Sequence, residues 1–116
     1  MSKLILTQYF DDTYTSEHTV SLVTDKYTEI GNLYIGIICS EEGSPEPWGD
    51  LTINVGYECD ENCAYIDTNN NGQAVIDWLI ENKLGRLTGK IVRRDFCICP
   101  EFEFDMDEVN KYLEEL

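Results

Sequence analysis

The chain has 116 residues, 42% of them hydrophobic and 11% aromatic, and its 8 basic against 23 acidic residues give a net charge of −15. That length supports a single domain, 1–116, burying about 65% of its unfolded surface without disulfide or metal staples. The apolar content makes the charge a surface property and not a mark of disorder, and its sign excludes sequence-independent binding to nucleic-acid phosphates and attraction to anionic membranes.

Met1-Ser2-Lys3 followed by Leu4-Ile5-Leu6 is too short an apolar run for a signal peptide, and no segment reaches membrane-spanning length. The expected location is therefore the cytoplasm, with the five cysteines reduced and the protein a monomer. Leu4 to Tyr9 alternates and then breaks at Asp11-Asp12-Thr13, which reads as a strand and turn; His18 to Thr24 and Leu33 to Cys39 are the next two strands. Glu41 to Gly49 reads as a loop. Beyond it, Leu51, Ile53, Val55 and Tyr57 alternate with Thr52, Asn54 and Gly56, the pattern of a strand with one buried face.

Cys63 to Ile66 is a short strand candidate leading into Asp67-Thr-Asn-Asn-Asn-Gly72, which opens like a calcium loop. The twelfth loop position is Trp78, where a calcium loop needs a bidentate Glu, and the preceding segment is not helical. The stretch reads instead as a strand-to-helix turn, in which Asn70 or Asn71 caps the following helix. From Gln73 the period lengthens: Val75, Ile76, Leu79 and Ile80 form one helical face, and Lys83 with Gly85 closes it. A Gly-containing loop follows. Phe96, Ile98, Phe102 and Phe104 then alternate with Cys97, Cys99, Glu101 and Glu103, with Pro100 marking an edge or a bulge. Asp105 with Glu108 three residues on forms a capping-box pattern, and Met106, Val109, Leu113 and Leu116 mark a closing amphipathic helix. The fold expected is α+β, a mainly antiparallel sheet of about five or six strands with two helices in the second half.

No cofactor, metal or catalytic residue is assigned. His18 is the only histidine and sits beside Glu17 near a turn, where an exposed imidazole is the simplest reading. The glycines are dispersed, so no phosphate-cradling loop exists. Cys59, Cys63, Cys97 and Cys99 could supply four thiolates to zinc, but a one-residue gap along a strand separates two sulfurs by about 6.7 Å, wide for a tetrahedral site. A small enzyme, or a zinc-stabilised domain using these four cysteines, is the alternative to a binding protein.

Charge is not evenly spread. Lys83, Arg86, Lys90, Arg93 and Arg94 fall within twelve positions holding no acid, whereas Asp95 onward carries eight acids against Lys111 alone. Such a dipolar surface orients a basic protein partner, unless the two segments pair internally at about 0 to 1 kcal/mol per exposed pair. The candidate partner-binding residues are Glu101, Glu103, Asp105, Asp107 and Glu108, together with Trp48. A strand spaces Glu101, Glu103 and Asp105 at about 6.7 Å, half the charge density of a DNA strand, so mimicry of nucleic acid needs a second acidic row. Trp48, after Pro45-Glu-Pro47, reads as a core plug or as an exposed anchor, and its size favours the plug.

The blocks Gly43-Ser-Pro-Glu-Pro-Trp48, Leu51-Thr-Ile-Asn54, Asn62 to Asn71 and Cys99-Pro100-Glu101 resemble a DUF4313-like family, a domain of unknown function among small acidic proteins of gut bacteria and their conjugative elements. The resemblance covers most of the chain and implies no assigned chemistry. A mobile-element setting implies an accessory role, or binding of host machinery such as a defence nuclease.

Overall fold

The computed structural model describes residues 4–9, 15–28, 31–39, 46–72, 74–94 and 97–113. The α+β class holds: the described residues form two four-stranded antiparallel sheets, and their helices lie in the second half. The first sheet is a meander of β1 (Leu4–Tyr9), β2 (Thr15–Lys26), β3 (Leu33–Cys39) and β4 (Glu46–Asp50) in sequence order. Its register sets Leu4 opposite Val20, Val20 opposite Cys39, and Cys39 opposite Glu46. At the β2–β3 turn the Tyr27 N–H donates to the Asn32 carbonyl at 2.9 Å, and Gly31 supplies the φ of +81° that the reversal needs.

The second sheet contains β5 (Thr52–Ile53), β6 (Cys63–Ile66), β7 (Gly85–Arg94) and β8 (Cys97–Phe104), in the order β5-β6-β8-β7. Leu51 joins the two sheets. Its N–H donates to the Ile35 carbonyl and its carbonyl accepts from Asp67 N–H, both at 2.9 Å, while the Thr52 hydroxyl accepts from Ile35 N–H at 3.1 Å.

Between β6 and β7 lie α1 (Thr68–Asn71) and α2 (Ala74–Glu81), and α3 (Met106–Asn110) follows β8. Leu4, Leu22, Ile35 and Ile37 from the first sheet meet Ile66, Phe102 and Phe104 from the second, with Val75, Ile76 and Leu79 of α2 closing the same core. Burial of that apolar surface is what holds the two sheets together. The Trp78 indole N–H donates to the Ile5 carbonyl at 2.8 Å, pinning α2 to β1.

Two strands escape the sequence reading. β4 occupies what reads as a loop, because Pro47 is tolerated on an edge strand and a bulge absorbs the mismatch: Ile37 faces Gly49 and Ile38 faces Pro47, leaving Trp48 as the extra residue. β7 occupies the Gly-containing segment, where basic residues hide the strand pattern. The long alternation from Leu51 shrinks to the two-residue β5. Leu51 and Val55 are buried in different clusters and Tyr57 is 60% exposed, since Gly56 at φ +84° turns the chain away.

The helix ends differ too. Lys83, at φ +60°, is the left-handed residue after α2; its N–H donates to Ile80 O, and Leu84 N–H donates to Leu79 O, both at 3.0 Å, the paired bonds of a Schellman closure. Gly85 lies one residue beyond the closure and opens β7. The last helix stops at Asn110, five residues long, because the chain turns to run beside β2: Leu22 N–H donates to Tyr112 O at 2.8 Å where the edge extends past Leu4. Leu116 lies outside the described residues, as do Glu41 and Glu42. The calcium-like stretch is one helical turn. The Asn71 amide donates to the carbonyls of Asp50 and Asp67 at 2.8 Å each, and the Asn70 side chain and Gln73 lie outside the described residues.

Candidate protein-docking site

Strand β8 runs between β6 and β7, with Tyr65 opposite Glu101 and Cys63 opposite Glu103 on one side, and Arg86 opposite Glu103 on the other. Pairing with β7 is interrupted: Leu87 faces Phe102 and Ile91 faces Pro100, so Thr88, Gly89 and Lys90 stand against Glu101 alone. Gly89 takes the φ of +94° that this bulge requires. The consequence is a carboxylate held from two directions. The Thr88 hydroxyl donates to Oε1 of Glu101 at 2.8 Å, and the Lys90 ammonium lies 3.9 Å from Oε2.

Glu101 is only 5% exposed, which corrects its place in a solvent-facing acidic row. The sequence alternation puts it on the face opposite Phe102, and that face is covered by a second small cluster of Val55, Tyr65 and Cys99 with Ile53, Cys59 and Val92. Lys90 also lies 5.9 Å from the centre of the Tyr65 ring. The Tyr65 oxygen and then Glu101 push the Lys90 ammonium up, although no well-formed hydrogen bond reaches the buried Tyr65 hydroxyl from any described residue.

The remaining acids of the segment are partly tied internally. Glu103 accepts from Arg86 Nε at 2.9 Å, and Glu108 accepts from Lys111 at 2.6 Å. Both pairs are exposed enough to contribute only about 0 to 1 kcal/mol each. Asp105 caps α3 by accepting from the N–H groups of Asp107 and Glu108, while Asp105 N–H donates to Leu84 O and not to the Glu108 side chain, so the capping box is half formed.

Glu103, Asp105 and Asp107 nevertheless converge. They border an open groove of about 740 Å³ that is also lined by the apolar Ile80, Phe104 and Met106 and by the basic Lys83 and Arg86. Asn62 also lines it and follows the exposed Asp60 and Glu61 in the chain, and Glu81 is exposed on α2 next to the lining residue Ile80. Asp60 and Glu61 were not singled out by the sequence pattern, because the β6–β8 pairing and the Phe104 N–H to Asn62 O bond, 2.8 Å, bring the loop before β6 to this end of β8.

Trp48 belongs elsewhere, on the edge of the first sheet. It is half-buried against the core, with its ring 4.5 Å from that of His18 in an edge-on arrangement, so it is a plug and His18 is not a bare surface imidazole. Cys59 donates its thiol to Cys63 O at 2.9 Å; burial foremost, then Glu101, pushes both thiols up to about 11. Among the described residues no group of three or more His, Cys, Asp or Glu side chains is placed to hold a metal ion, and the Cys97 side chain lies outside them.

Two packed antiparallel sheets with helices gathered late in the chain define an α+β protein, and no helix among the described residues is long and apolar enough to cross a membrane. Residues 21–116 match the family model described as domain of unknown function (DUF4313), and the chain belongs to that family. No curated protein and no solved structure matches it.

Proposed function

We propose that this is a non-enzymatic protein-binding accessory protein, acting as a cytoplasmic monomer that docks on a basic surface of another protein and touches neither nucleic acid nor membrane. The observation that supports this reading is the groove lined by apolar Ile80, Phe104 and Met106 and by Glu103, Asp105 and Asp107 against Lys83 and Arg86, with the exposed acids Asp60, Glu61 and Glu81 within two residues of its lining. An apolar centre with a charged rim is the composition of docking surfaces, and the rim's sign selects a positive partner and speeds encounter with it. The bacterial mobile element implied by the sequence resemblance would supply such partners as host nucleic-acid-binding proteins, whose basic grooves an acidic protein could occupy.

The test is capture of partners from the native host at low and moderate ionic strength by the natural protein and by a variant with Asp60→Asn, Glu61→Gln and Asp107→Asn. The reading expects a partner lost from the variant and weakened by salt. Equal capture by both proteins at both salt concentrations would remove the acidic rim from the account.

A further inference from the structure

β7 is an edge strand, bonded to β8 on one side and to no described strand on the other. It carries Arg86, Lys90, Arg93 and Arg94 and no acid, in a chain whose net charge is −15. Its side chains also sort by face. Leu87 and Ile91 share the face of Ile98, and these three are 43%, 54% and 45% exposed, an apolar strip beyond the reach of the first sheet. Arg86 and Lys90 stand on the opposite face, where they meet Glu103 and Glu101, while Arg93, opposite Ile98, borders the apolar strip.

β8 shows what such a strand accepts as a neighbour. From Glu101 to Phe104 it alternates acid and aromatic, placing carboxylates beside Arg86 and Lys90 and apolar groups beside Leu87. Pairing of β7 with β7 of a second copy would set basic side chains against basic side chains, which is unfavourable directly across a ladder. We propose that the open side of β7 receives an extended segment of a partner protein that alternates acidic and apolar residues, added as a fifth strand to the second sheet. Backbone bonds supply the affinity, the Leu87–Ile91–Ile98 strip takes the apolar side chains, and the basic face takes the carboxylates. This surface meets the acidic-rimmed groove at Gly85 and Arg86 but rests on the open edge of β7, and the proposal stands or falls without the groove.

Basic residues and a bulge on an edge strand also serve to prevent unwanted pairing, and the experiment separates the two roles. The probe is a fluorescein-labelled, end-capped peptide of about eight residues, a common strand length, alternating glutamate and valine. It is compared with a block peptide of the same composition and with an alternating lysine–valine peptide. The full chain should bind the alternating acidic peptide roughly tenfold more tightly than either control, a difference of about 1.4 kcal/mol. Amide exchange over 85–94 should slow on binding, and Ile91→Ser with Arg86→Glu, both at exposed positions, should reverse the preference while leaving the far-ultraviolet circular dichroism unchanged. Equal binding of the block peptide would show attraction without strand addition, and protection confined to other strands, or no binding at all, would overturn the proposal and leave β7 a guarded edge.

Discussion

Thr88 donates its hydroxyl to the Glu101 carboxylate at 2.8 Å across a bulge that gives two β7 side chains access to a single β8 residue. A buried carboxylate with one strong donor and one ammonium nearby is costly to disturb, because its oxygens have lost water. Thr88→Val should destabilise the protein by about 1 to 2 kcal/mol, and Glu101→Ala by about 1 to 3 kcal/mol. A double-mutant cycle in urea should return a coupling of roughly 1 kcal/mol between them; additive effects would mean that the contact carries no energy of its own.

At the end of α2, Lys83 holds a left-handed conformation that costs an L side chain about 1 kcal/mol, while Gly85 sits where a Cβ would collide with the Glu103 carbonyl and the Phe102 ring. Lys83→Gly should therefore raise stability by about 0.5 to 1 kcal/mol. Gly85→Ala should lower it by more than about 2 kcal/mol, since the obstructing atom is backbone in a central strand. Chemical denaturation of the two variants gives opposite signs if Lys83 is the true closing residue.

The thiols give a pH dependence. Cys59 and Cys63 are held protonated up to about 11 in the folded chain, against an ordinary value of 9.0, so the native state keeps protons that the unfolded state releases. Their contribution to stability is present in full below about pH 9 and disappears as pH rises through about 11. Thermal melts should fall across that window, and less steeply in Cys59→Ala and Cys63→Ala. At neutral pH both thiols should react with alkylating reagents more slowly than the same cysteines in urea.

Trp48 fills the bulge of β4 and packs on the core beside His18. Trp48→Ala should cost about 2 to 3 kcal/mol, less than a fully buried aromatic, and Trp48→Phe under about 1.5 kcal/mol. If instead Trp48 serves mainly as a partner anchor, the alanine variant will melt normally and lose binding.

Local chemistry was legible wherever one short-range cause governs it. β3 from Leu33 to Cys39, the Asp105 cap and the apolar face of α2 all follow from periodicity or from a single residue's hydrogen bonds and steric limits, whereas the bulge expected at Pro100 lies on β7 opposite Glu101. Charge and the family resemblance were likewise present in the residues alone. Tertiary structure decided the rest, because strand pairing depends on partners far away in sequence. β7 is recognisable only once β8 lies beside it, and Trp48 becomes a bulge residue only against Ile37 and Ile38. Glu101 and Glu103 look equivalent in an alternating strand. One is buried between Thr88, Lys90 and Tyr65 and the other reaches the groove, because the covering loop from Val55 to Cys59 crosses the sheet over one of them; side-chain alternation assigns a face but does not say what lies on top of it.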